Sequence, residues 1–112
     1  VIILPTSNGY HPPRELYESP DFQHLQRLKA VRERRVGSLP WSPCNCDKRL
    51  EYPLDAWIMG TVTYPDRFAD IDLGSWILDF YQEVYSVDRE TAVALLKAQW
   101  LEWTLESGGA AP

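Results

Sequence analysis

Between Pro40 and Arg49 the chain reads Pro-Trp-Ser-Pro-Cys-Asn-Cys-Asp-Lys-Arg, a stretch that gathers groups able to act on a ligand. Trp41 offers a flat apolar face for stacking, Ser42 and Asn45 offer hydrogen bonds, and Arg49 offers a planar, permanent cation that grips anions through paired bonds. The stretch lies between a short apolar run and a helical pattern, and the carboxyl end of a strand is where an open α/β layer presents groups to a ligand. Recognition is therefore the chemistry to seek here.

Each residue also has a plainer role. Trp41, set between Pro40 and Pro43, suits either a stacking platform or the rim of a core. Arg49 suits either a ligand contact or a surface ion pair with Asp47 or Glu51. Cys44 and Cys46, one residue apart, would close a strained ring as a disulfide. With His11 or His24 they are soft ligands for zinc or copper, but the histidines lack ligand spacing, so small packed thiols are the default. Asp70 and Asp72 form a close carboxylate pair, yet Asp72 is already placed as a helix cap, which favours a structural role over acid–base work. A glycine-rich phosphate loop, a nucleophile elbow and a zinc-protease helix are all missing from the sequence.

The 112 residues fit one domain, with 45% hydrophobic and 12% aromatic content to build a modest core. A net charge of −5 repels polyphosphate, which argues against a nucleic-acid partner. No apolar run approaches the roughly 20 residues needed to cross a bilayer, and Val1-Ile-Ile-Leu4 has neither a basic lead-in nor a cleavage site.

The elements that must hold these residues follow from the pattern. Val1–Leu4 predicts a buried strand ended by Pro5. Pro12-Pro13 leads a short helix over Arg14–Glu18, and Ser19-Pro20 starts another with Ser19 as its cap. Leu25, Leu28 and Val31 carry an apolar spacing of three into Arg32-Glu33-Arg34-Arg35, where cations suit a helix C-terminus. Val36–Leu39 predicts a second strand, reached by a connection long enough for a right-handed parallel crossover. Beyond Leu50 only helix is expected. The first such helix has Pro53 near its start, Leu54, Trp57, Ile58 and Thr61 on one face, and Tyr64-Pro65 as its stop. A second is capped by Asp72, with Trp76, Ile77, Phe80, Tyr81 and Val84 on one face. A third is capped by Asp88 and runs through Trp103 with Val93, Leu96 and Trp100. The Trp57, Trp76, Phe80, Tyr81, Trp100 and Trp103 rings fall at helical spacing and read as core. Residues 1–105 form the packed unit and 106–112 a frayed tail. Two strands make an incomplete sheet, so the chain reads as a fragment with further strands upstream.

The order of these signals resembles the C-terminal part of the metal-chelate substrate-binding proteins of ABC importers. The resemblance rests on Val1-Ile-Ile-Leu4, Pro20-Asp-Phe-Gln-His-Leu25, Lys29-Ala-Val-Arg-Glu-Arg-Arg-Val36 and Leu39-Pro40-Trp41. It continues through Thr63-Tyr-Pro-Asp-Arg-Phe68, Ala69-Asp-Ile-Asp-Leu73, Asp79-Phe-Tyr81 and Tyr85-Ser-Val-Asp88, and so covers nearly the whole chain to about Trp103. It implies a helix-rich α/β C-terminal lobe of a two-lobed (class III) solute-binding protein, with few parallel strands flanked by helices. The implied protein is periplasmic or otherwise extracytoplasmic, reaches the membrane through its permease, and is a binder with no cofactor of its own. Its ligand would be a ferric siderophore, haem, cobalamin or a related metal complex, or in some members an oxyanion such as molybdate or tungstate. By position Trp41 would stack on the ligand, Ser42, Asn45 and Arg49 would bond to it, and Ser7, Asn8 and Tyr10 would line the same cleft. The N-terminal lobe and the acidic residue that docks this lobe on the permease would lie upstream of Val1. Cys44-Asn-Cys46 and Arg49-Leu-Glu-Tyr-Pro53 depart from commoner members and leave the ligand class open. An isolated lobe would expose a sheet edge and an interlobe face, favouring self-association.

Overall fold

Two three-residue strands make the sheet. The computed structural model describes residues 1–4, 10–40 and 52–106. Strand β1 (Ile2–Leu4) and strand β2 (Val36–Ser38) pair in parallel, Ile2 opposite Val36 and Leu4 opposite Ser38. Bonds from Ile2 N–H to the Arg35 carbonyl and from Leu39 N–H to the Leu4 carbonyl, both 3.0 Å, extend the ladder at its two ends. Parallel pairing requires the chain to return over the sheet between the strands. The return is helical, as expected: α1 (Arg14–Glu18), a 3-10 segment (Pro20–Arg27) and α2 (Lys29–Arg32).

This connection departs from the expected pattern at one point. Leu28 is extended (φ −70°, ψ 136°) and 45% exposed, so the apolar spacing through Leu25, Leu28 and Val31 is not one continuous helix. A repeat of three matches the 3-10 helix, with three residues per turn, better than the α-helix with 3.6. Ser19 caps the segment as expected, its hydroxyl accepting from Asp21 N–H at 3.2 Å. The connection buries Leu16 and Val31 against Val36, with Ile2, Leu4, Tyr17, Phe22 and Leu25 packed around them.

On the other side of the sheet lies α3 (Tyr52–Thr63), which buries Leu54, Ile58 and Val62 at a spacing of four, with Trp57 and Thr61 beside them half-buried. A β-carbon on Gly37 would stand 2.7 Å from Val62 Cγ2 and 3.3 Å from Ile58 Cγ2, so the absent side chain sets how closely α3 approaches β2. Next, α4 (Leu73–Tyr85) buries Leu73, Ile77, Leu78 and Tyr81 and packs on both α3 and α5 (Arg89–Ala98). These helices share the larger core with Leu96, Leu101 and Trp103.

The last helix is shorter than the expected run to Trp103. It ends at Ala98, Trp100 takes a left-handed conformation (φ 59°), and a 3-10 segment (Glu102–Leu105) follows. Trp100 N–H bonds to the Lys97 carbonyl and Leu101 N–H to the Leu96 carbonyl, the paired bonds of a Schellman cap. That reversal turns Leu101 and Trp103 back into the core. Among the described residues no helix is long and apolar enough to cross a membrane.

Candidate functional site

Because the strands are parallel, both deliver their carboxyl ends to one edge of the sheet. Ser38 is fully buried there, and its hydroxyl donates to the His11 carbonyl, which ties β2 to the segment that follows β1. His11 Nδ1 lies 3.1 Å from Glu15 Oε2 on the exposed side of that segment. Leu39 and Tyr10 both pack against the larger core.

Tyr10 is the expected ligand-lining residue that falls within the described part. Its ring is half-buried, its hydroxyl is buried beside the Trp103 backbone, and Arg14 reaches over to pair with Glu106. Burial, with added repulsion from Glu102 and Glu106, pushes the phenol up to about 12. At neutral pH the phenol is therefore uncharged, and neither a base nor a nucleophile. The other six expected residues, Ser7, Asn8, Trp41, Ser42, Asn45 and Arg49, lie outside the described residues, as do Cys44 and Cys46.

The remaining candidates resolve into local structure. No cluster of three His, Cys, Asp or Glu side chains able to hold a metal occurs among the described residues. Asp72 stands at the N-cap of α4, but its carboxylate accepts from the Ser75 hydroxyl at 2.9 Å and not from a backbone N–H. Asp88 does cap α5, accepting from Thr91 N–H at 2.8 Å. The aromatic residues form a continuous series: Trp57 stacks on Trp76 at 4.5 Å, Trp76 on Phe80 at 5.7 Å, and Phe68 meets Trp57 edge-on at 5.2 Å. Tyr81 and Trp103 are buried, and Trp57, Trp76 and Phe80 line the core boundary.

A second constellation, which sequence reasoning passed over, sits at the opposite edge of the sheet. Helix α2 ends in a Schellman cap with Arg34 in the left-handed position (φ 56°): Arg34 N–H bonds to the Val31 carbonyl and Arg35 N–H to the Ala30 carbonyl. Glycine usually occupies that position, so an arginine there is a strained choice. The Arg34 guanidinium lies 4.8 Å from the centroid of the Tyr17 ring, whose hydroxyl accepts from Val36 N–H at 3.2 Å. Arg35 donates to the Thr63 carbonyl at 2.8 Å. Beside this turn opens a cleft of about 250 Å³ with walls that include Val62, Leu73 and Trp103. The only sequence signal was the run of arginines, which reads equally well as a favourable helix end.

The whole is a helix-rich α/β unit built on a two-stranded parallel sheet, with an arginine-flanked cleft at the amino edge of β2. No protein-family model matches the chain, and searches of curated proteins and of solved structures return no match.

Proposed function

We propose that the chain is part of the C-terminal lobe of an extracytoplasmic solute-binding protein that captures an iron or other metal complex and delivers it to an ABC permease. The observation that carries this reading is the parallel register of β1 and β2. β1 and β2 both end at one edge of the sheet, the edge where ligands bind in open α/β layers, and six of the seven expected ligand residues follow those two strands in the sequence. The order of motifs from Val1 to Trp103 supports the same assignment.

On this reading Trp41 stacks on the organic shell of the complex, and Ser42, Asn45 and Arg49 bond to its anionic groups. The neutral phenol of Tyr10 helps brace the cleft wall. A second lobe closes over the ligand, and the higher affinity of the closed form supplies the signal the permease reads. No covalent step is involved. The isolated lobe self-associates through its uncovered face.

Calorimetric titration of the full-length protein with a ferric siderophore, haemin, cobalamin and molybdate tests the assignment. Saturable binding of one metal complex at a single site is the expected result. Binding of molybdate alone would move the ligand to the oxyanion class on the same scaffold, and a folded protein that binds none of the four would overturn the reading.

A further inference from the structure

We propose that the cleft at the amino edge of β2 binds a small organic anion, a single aromatic ring bearing a carboxylate, with Arg35 gripping the carboxylate and Val62, Leu73 and Trp103 enclosing the ring. This site lies at the end of the strands opposite the loops discussed above and does not depend on the solute-binding assignment.

Size sets the first limit. A cavity of roughly 150 Å³ is enough to hold a benzene ring, so about 250 Å³ holds one ring and a short polar arm but not a siderophore, a haem or a peptide. The walls set the second. Pro13, Val36, Val62, Leu73 and Trp103 present apolar surface, and the Thr61 hydroxyl is already committed to the Trp57 carbonyl at 2.7 Å. These are walls for a hydrocarbon body and not for a sugar or a hydrated ion.

Charge sets the third limit. Arg35 is half-buried and makes one bond, to the Thr63 carbonyl, while its other guanidinium N–H groups have no acceptor among the described residues. A partly desolvated cation against apolar surface is poorly compensated, and a carboxylate accepting two parallel bonds restores what burial removed. Glu33, the one acidic residue in the lining, is turned toward Lys29, with Lys29 Nζ 3.9 Å from its carboxylate. Arg34 is held over Tyr17. The paired bonds of the Schellman cap fix the backbone that carries both arginines, and the bond to the Thr63 carbonyl holds the Arg35 guanidinium before a ligand arrives.

The test is an amide-correlation NMR titration of the 112-residue chain with phenylacetate, followed by its uncharged isostere phenylacetamide and by acetate. Saturable shifts for phenylacetate centred on Arg35, Val36, Val62, Leu73 and the Trp103 indole N–H, with binding about tenfold or more weaker for both comparison molecules, are the expected result. Arg35→Gln, checked for folding by its own spectrum, should lose about the same factor for phenylacetate and almost none for the amide. Equal affinity for acid and amide, shifts centred away from the cleft, or no saturable shift from the folded chain would each overturn the proposal. The acid–amide comparison needs no variant, so it decides even if Arg35→Gln fails to fold.

Discussion

Burial and the carboxylates of Glu102 and Glu106 keep the Tyr10 phenol protonated up to about pH 12, against an ordinary value of 10. Because the folded-state value lies above the unfolded one, the native state holds this proton more tightly. Its contribution to stability is complete below pH 10 and is lost as the pH rises from 10 toward 12. Tyr10→Phe removes the titrating group while keeping the ring, so urea unfolding at neutral pH and again in that alkaline window should show a smaller loss of stability in the variant than in the parent. Equal losses would mean that the phenol is solvated. Ser86 is a second single-residue case. It ends α4 in the left-handed region (φ 54°) with its side chain exposed. Ser86→Gly removes the β-carbon strain and adds some unfolded-state entropy, for a net gain of roughly 0.5–1 kcal/mol by chemical denaturation. A loss of stability would show that the hydroxyl holds the turn. Neither residue advertised these roles in the sequence. Tyr10 looked like part of a ligand loop, and Ser86 carried no glycine-like signature, because in both cases the environment comes from residues elsewhere in the chain.

At the scale of elements, local chemistry made several features legible. The Pro12-Pro13 entry to α1, the Ser19 and Asp88 caps and the Tyr64-Pro65 stop each act within a few residues, and each stands as expected. The misses came where distant packing decides. Neither Schellman reversal, at Arg34 and at Trp100, has the glycine that usually marks such a cap, and the second exists to return Leu101 and Trp103 to the core. The first turn of α4 shows how tight that return is. A β-carbon on Gly74 would lie 2.5 Å from the Thr104 carbonyl oxygen, which is backbone and cannot swing aside. Gly74→Ala should therefore destabilise the fold by about 1–3 kcal/mol in urea unfolding, despite alanine's better helix propensity. An unchanged midpoint would contradict the close packing of α4 on the C-terminal 3-10 segment.

For the whole molecule, a short parallel pair separates two hydrophobic clusters, one under the α1–α2 connection and one among α3, α4 and α5. The parallel arrangement could be read from the sequence because two short apolar runs with a helical connection between them leave few alternatives. The arginine-flanked cleft could not, since its lining is drawn from Pro13, the turn at Arg34-Arg35, the end of α3, the start of α4 and Trp103. The candidate ligand residues stand out in the sequence by type, and the parallel register brings the carboxyl ends of β1 and β2 to one edge. The central claim is that these loops hold a metal complex, and a tryptophan-fluorescence titration of the full-length protein beside its Trp41→Ala variant tests it most directly. The account predicts saturable quenching by one complex from the ferric siderophore, haemin and cobalamin set, with affinity weakened about tenfold or more in the variant. Unaltered affinity in a folded Trp41→Ala protein, or no quenching by any of them, would contradict it.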